Sequence, residues 1–229
     1  MGRTSFIPSI QCMELDPTLP AVMQIRHSER PTVNVNEGGL NTPLSDRGEK
    51  AAHQFGSKLP VDRHYHFYHT DIERTKMTAE RIQQGVVDND GVSKIVGEIP
   101  VSSINDTAAF RELMREIGGE DAVARFRTFF YRWVYGFYPP WWMTPSLEFA
   151  QQGASFMMRN LWDSDMRDMH IWVSHELWVA AFLLHWLGEY SFDWVSFMDG
   201  FILQFKEENM TFYFRGETKE VKYPHWWSF

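Results

Sequence analysis

The chain has 229 residues, more than one average domain of ~150 residues and fewer than two, which fits a single domain over residues 1–229 carrying an insertion. Apolar residues at 44% and charged residues at 23% exclude disorder as the dominant state, and a net charge of −8 disfavours any phosphate polymer, hence nucleic acid, as a partner. The single cysteine, Cys12, excludes an intrachain disulfide and a thiolate zinc cluster, so a reducing, cytoplasmic setting is expected.

The first residues carry no apolar signal core, and the longest apolar run, Leu177 to Leu184, falls far short of the ~20 residues of a membrane span. A soluble protein with no membrane partner is expected. Ala21 to Ile25 reads as a short buried strand that delivers Arg26 and His27 at its C-terminal end. An Asn- and Gly-rich stretch between Pro31 and Pro43 leads to Ser45, which is suited to cap a helix running through Ala51, Ala52 and Phe55 to a stop at Gly56. Tyr65 and Phe67 alternate with His64 and His66 in a second strand, and Glu73 to Gln84 follows as a helix with Gly85 at its end. Ser93 to Ile99 supplies a third strand. Residues 108–165 then form a helical insertion broken at Gly118-Gly119 and at Tyr138 to Trp142. Strand character returns over His170 to Ser174, with His175 at the junction to an apolar helix, Leu177 to Leu187, that ends at Gly188. Gly200 to Phe205 and Met210 to Phe214 flank a polar turn and are expected to form a hairpin at the sheet edge. Repeated strand, loop and helix units predict an α/β layered fold.

In such a sheet, ligands bind at the carboxyl ends of the strands, where this sequence places Arg26-His27, the approach to Arg74, and His175. Arg26, Arg30 and Arg74 offer planar cationic forks for phosphoryl oxygens, and His27 offers a nucleophile. Glu176 is the nearest carboxyl group to protonate a leaving oxygen, and His175 can hydrogen-bond the phosphoryl group as charge develops.

Four motifs in order carry a resemblance. Met23-Gln-Ile-Arg26-His27-Ser28-Glu29-Arg30, Leu44-Ser-Asp-Arg-Gly48, Thr70-Asp-Ile-Glu-Arg74-Thr-Lys-Met-Thr78-Ala79-Glu80 and Trp172-Val-Ser-His175-Glu176 resemble the ordered motifs of the histidine phosphatase superfamily. That family includes the cofactor-dependent phosphoglycerate mutases and the histidine acid phosphatases. The resemblance implies a three-layer α/β/α sandwich with a mostly parallel central sheet and a helical, aromatic-rich insertion. It implies transient phosphorylation of His27, with Arg26, Arg30, Arg74 and His175 holding the phosphoryl group and no metal or other cofactor. The partner is then a small phosphorylated substrate, and the expected activity is hydrolysis of a small organic phosphomonoester. A phosphoglycerate mutase-like phosphotransferase and a non-catalytic phospho-ligand binding protein are the alternatives. His69 stands where the family usually has Ser, and Glu follows His175 where many mutase-like members have Gly-Gly and acid-phosphatase-like members have Asp or Ala-Glu. Glu176 is therefore the first choice of proton donor. Glu112, with Glu116 in the same segment, is the second.

A rival reading starts from His64, His66 and His69, whose spacing resembles the zinc motif of metallo-β-lactamase-like hydrolases. Tyr68 stands at the place of that motif's Asp, which makes a zinc hydrolase the least favoured outcome. The aromatic run Phe126 to Trp133 and the Tyr138 to Trp142 turn fit core packing more often than ligand stacking, although aromatics at 16% are enough for some rings to line a pocket.

Overall fold

In the computed structural model, residues 4–31, 42–118, 121–189 and 193–227 are described. Seven strands, β1 (Ala21–Arg26), β2 (His64–His69), β3 (Val92–Glu98), β4 (Asp168–Ser174), β5 (Gly200–Phe205), β6 (Asn209–Phe214) and β7 (Glu217–Lys222), form one sheet in the order β3-β2-β4-β1-β5-β6-β7. The β3/β2, β2/β4 and β4/β1 pairs are parallel, and the pairs from β1 through β5 and β6 to β7 are antiparallel. The core of the sheet is thus parallel, which needs cover on both faces. Every residue of β4, an interior strand between β2 and β1, is buried.

Strand alternation divides the core into two layers. Met23, Ile25, Tyr65, Phe67, Ile171 and Val173 face α2 (Asp46–Gly56) and α3 (Glu73–Val87). Val22, Tyr68, Trp172 and Leu203 face the other way, toward α4 (Thr107–Ile117), α5 (Ala122–Val134), α6 (Ser146–Trp162) and α7 (Glu176–Leu187). A short α1 (Ile7–Gln11) precedes the sheet, and Pro8 in its first turn has no amide hydrogen to leave unpaired. All three layers of an α/β/α sandwich are present.

Most of the rings between β3 and β4 go into this second core layer. Phe129, Trp133 and Phe149 are fully buried, each burial contributing about 1.5–3 kcal/mol, and the Trp133 indole N–H donates to the Thr144 carbonyl at 2.7 Å. Tyr138 stacks on Phe129 with centroids 4.9 Å apart, whereas Trp141 is exposed.

Two local readings change, and a third is not reached. Gly85 does not stop α3, which continues to Val87; a Cβ there would meet the His53 carbonyl oxygen of α2 at 2.1 Å, so the glycine permits the α2/α3 crossing. The sheet edge next to the hairpin is β7, whose Glu-Thr-Lys-Glu-Val-Lys sequence lacks the apolar alternation of a buried strand and carries the charges that protect an edge. The Asn- and Gly-rich stretch after Pro31 lies mostly outside the described residues, as does Gly119. No helix among the described residues is long and apolar enough to cross a membrane.

Candidate active site

The site lies at the carboxyl ends of β1, β2 and β4. Arg26 closes β1, and the next residue, His27, has its backbone N–H on the Ser174 carbonyl at the end of β4 (2.8 Å). The turn that follows is pinned from both sides. Ser28 N–H donates to Thr78 Oγ1 of α3 (3.0 Å), and its hydroxyl donates to the Gly48 carbonyl of α2 (2.7 Å). Gly48 is required there, because a Cβ would sit 2.0 Å from the Glu29 carbonyl oxygen.

Hydrogen bonds fix both imidazole tautomers. His27 Nδ1–H donates to the Ser28 carbonyl (2.7 Å), so Nε2 carries the lone pair, which accepts from Arg74 Nε–H at 2.9 Å. His175 Nδ1 can only accept from Arg74 Nη2 (3.2 Å), so Nε2–H donates to Thr70 Oγ1 (3.1 Å). The two rings meet edge to face with centroids 5.6 Å apart. Burial, helped by Arg74 and Arg26, holds both imidazoles well below the ordinary value of 6.5, so they are neutral at neutral pH.

Glu176, the first residue of α7, is buried and presents its carboxylate to Arg26. Arg26 Nη2 donates to Oε1 at 3.2 Å, and Nε stands 3.2 Å from Oε2. Burial alone would raise this carboxyl group, but Arg26, a backbone amide, Arg30 and Arg74 together hold it below 4.5. Arg26 also donates to the Val195 carbonyl (2.7 Å) and lies 4.3 Å above the Phe197 ring. Arg30 is half-buried at the rim, its Nε without a hydrogen-bond partner.

Arg26, Arg30, Arg74, His175 and Glu176 line one cavity of about 520 Å³, whose upper wall is apolar and includes Phe110, Met114, Phe126, Trp178 and Trp194. His27 is 1% exposed and does not itself line the cavity, because Arg74 lies across its Nε2. Five of the six residues singled out from the sequence therefore open onto one space, with the sixth directly beneath it.

The alternative donors fall elsewhere. Glu112 and Glu116 are exposed on α4 and absent from the cavity wall, and Glu116 instead faces Arg132 at 3.7 Å. The rival histidine group is also split. His69 is buried at the C-terminal end of β2 with Nδ1–H on the Thr70 carbonyl (2.8 Å), whereas His64 and His66 turn to Asp168 at the far end of the strands. Thr70, Phe197 and the Val195 carbonyl were not singled out from the sequence. Thr70 was detectable as the hydroxyl residue at a strand end, whereas the Val195 to Phe197 segment carries no motif.

The model of the Histidine phosphatase superfamily (branch 1) matches residues 22–197. No curated protein matches the sequence. Among solved structures, YhfR of Bacillus stearothermophilus has a TM-score of 0.60 at 14% identity, covering 86% of this chain and 97% of its own. A phosphoglycerate mutase from Bacillus anthracis str. Sterne has a TM-score of 0.52 at 13% identity, covering 91% and 95%, and Mycobacterial hydrolase 1 has 0.51 at 12%, covering 89% and 97%. At these identities the likeness is one of fold.

Proposed function

The chain belongs to the histidine phosphatase superfamily, branch 1, and we propose that it is a phosphatase that hydrolyses a small organic phosphomonoester through phospho-His27. The observation that carries this reading is the neutral His27 Nε2 lone pair, fixed in tautomer by Ser28 and set beneath the point where Arg26, Arg74 and His175 converge. Within the clamp, Arg26, Arg30 and Arg74 supply three positive charges against the one negative charge of Glu176, an excess that suits a phosphoryl anion.

Entry of the phosphoryl group draws the Arg74 guanidinium from His27 onto phosphoryl oxygens. The freed Nε2 attacks phosphorus as the ester P–O bond breaks. The arginines stabilise the equatorial oxygens, and His175 Nε2–H, held on Thr70 in the empty site, shifts to join them as charge develops. Glu176 gives a proton to the leaving oxygen, then takes one from the water that attacks phospho-His27, and the N–P bond breaks. In the empty site Glu176 is ionised, so the proton arrives with the substrate as its monoanion, whose second pKa is about 6. The arginines neutralise charge without a metal.

Residues 108–165 are read as a cap of this single domain, since α4 and α5 contribute Phe110, Met114 and Phe126 to the cavity wall. Beyond the three arginines of the clamp, Arg125 is the one further cation among the lining residues described. This wall favours an apolar alcohol moiety over the carboxylate of a phosphoglycerate, and hydrolysis over mutase chemistry. A reducing cytoplasm is the proposed setting, because Cys12 alone forms no intrachain disulfide.

The test uses purified protein with an alkyl and an aryl phosphate in the presence of a chelator. Phosphate release, an acid-labile phosphohistidine and loss of both in His27→Ala are expected. Binding without release across a broad panel would leave a phospho-ligand binding protein. Activity restored only by zinc would remove the assignment.

A further inference from the structure

β2 and β4 run parallel with His66 opposite His170 and His64 opposite Asp168, so these side chains gather on one face of the sheet. His170 precedes His175 by five residues, about 16 Å along an extended strand, which separates this cluster from the phosphoryl site. One ligand-type atom from each of His66, Asp168 and His170 lies within 4.8 Å of the others. His66 Nε2 is 3.2 Å from Asp168 Oδ1. Two ligands bonded at about 2.0–2.1 Å to a tetrahedral ion stand roughly 3.3–3.4 Å apart, so one edge of that tetrahedron already exists.

The atoms not needed for an ion are tied down. Asp168 Oδ2 accepts from Asp165 N–H at 2.9 Å, leaving Oδ1 toward the histidines. The Ser164 hydroxyl proton is committed to the Asn160 carbonyl (2.7 Å), so His170 Nε2–H donates to Ser164 Oγ (2.6 Å). That leaves the lone pair of His170 on Nδ1, which accepts from the Tyr68 hydroxyl at 3.2 Å and would exchange that bond for the ion. An outer hydrogen bond that selects the tautomer of a ligating histidine is what a metal site requires. Side-chain exposures of 16% for His66 and 12% for Asp168 leave a route in from solvent.

We propose that His66, Asp168 and His170 form a binding site for a divalent transition-metal ion, Zn²⁺ foremost, that clasps β2 to β4 and takes no part in phosphoryl transfer. Two imidazoles and one carboxylate suit this class of ion rather than Mg²⁺ or Ca²⁺, which take oxygen ligands. On binding, the ion takes the place of the proton between His66 Nε2 and Asp168, and the neutral imidazole carries its one proton on Nδ1 instead.

Calorimetric titration of metal-stripped full-length protein with zinc chloride should give one ion per chain and a melting temperature that rises with zinc concentration. His66→Gln, at a half-buried position, and Asp168→Asn, nearly isosteric at a buried one, should each weaken binding at least ~10-fold. His53→Gln, which touches a different carboxylate, Asp88, should leave it unchanged. Circular dichroism reports whether each variant is folded, and phosphate release by the wild type should be equal with and without zinc. Absence of a stoichiometric site, or equal zinc affinity in folded wild type, His66→Gln and Asp168→Asn, overturns the proposal.

Discussion

Replacing Glu176 with Gln tests the division of labour in the site. Gln is nearly isosteric and keeps a carbonyl oxygen for Arg26, so the 3.2 Å contacts that hold the arginine need not be lost. What disappears is the transferable proton and one negative charge. Loss of general acid catalysis costs about 10²- to 10⁴-fold, or about 2.7–5.4 kcal/mol of barrier, for an alkyl leaving group that cannot depart as an alkoxide. An aryl phosphate needs little protonation and should phosphorylate His27 at a nearly undiminished rate. Hydrolysis of phospho-His27 would still lack its base, so stopped-flow assay should show a burst of one phenolate per chain followed by slow turnover. The lost charge acts the other way on binding. A carboxylate roughly 6 Å from the phosphoryl group at an effective dielectric constant near 20 repels it by about 3 kcal/mol per unit of phosphoryl charge, so inorganic phosphate should inhibit the variant more tightly. Equal losses on alkyl and aryl substrates with no burst, or wild-type turnover of the alkyl ester, would refute the assignment.

Burial and Arg74 hold His27 below 6.5, so the nucleophile stays unprotonated and the acid-side loss of kcat/KM falls below pH 6.5. Above a pH of about 6 the substrate monoanion disappears, and an alkyl phosphate should lose about tenfold per pH unit, whereas a flat profile from about pH 6 to pH 8 would contradict proton delivery by substrate. Thr70→Val removes the acceptor of His175 Nε2–H, and a kcat loss of up to about tenfold without a matching change in KM is expected from steady-state assays. Gly85→Ala places a methyl group 2.1 Å from the His53 carbonyl oxygen, and overpacking of about 1–3 kcal/mol should lower the melting temperature by several degrees in calorimetry. A wild-type melting temperature in this variant would show that α2 and α3 can separate freely.

The sequence made β1 and β4 legible because each combines an apolar run with a polar residue at its C-terminal end. Ala21 to Ile25 and Asp168 to Ser174 are buried on both faces, so Ala21-Val22-Met23 and Ile171-Trp172-Val173 show no polar alternation. β7 was illegible for the opposite reason, since its residues are mostly exposed and carry no pattern of burial. Gly85 misled because glycine marks a helix end by its backbone freedom and a helix crossing by its missing Cβ, and the sequence does not distinguish the two. At the site, residue identity announced the chemistry. Depth did not follow from it. Glu112 and Glu176 are both glutamates in helical segments, and only the position of α7 at the end of β4 brings one of them to the arginines.

Arg74 joins these observations into one device. Its guanidinium bonds both imidazoles in the empty site, which keeps the two rings aligned and covers the lone pair of His27. Burial lowers its own pKa to about 10, still high enough to remain charged at neutral pH. In the proposed reaction a phosphoryl anion is the species that draws it away, because charge-assisted hydrogen bonds repay the loss of two bonds to neutral nitrogens. Uncharged esters offer no such exchange and leave His27 covered. On the proposed reading, selection for the phosphoryl group precedes any contact with His27, and the apolar wall above the arginines is left to act on the alcohol moiety.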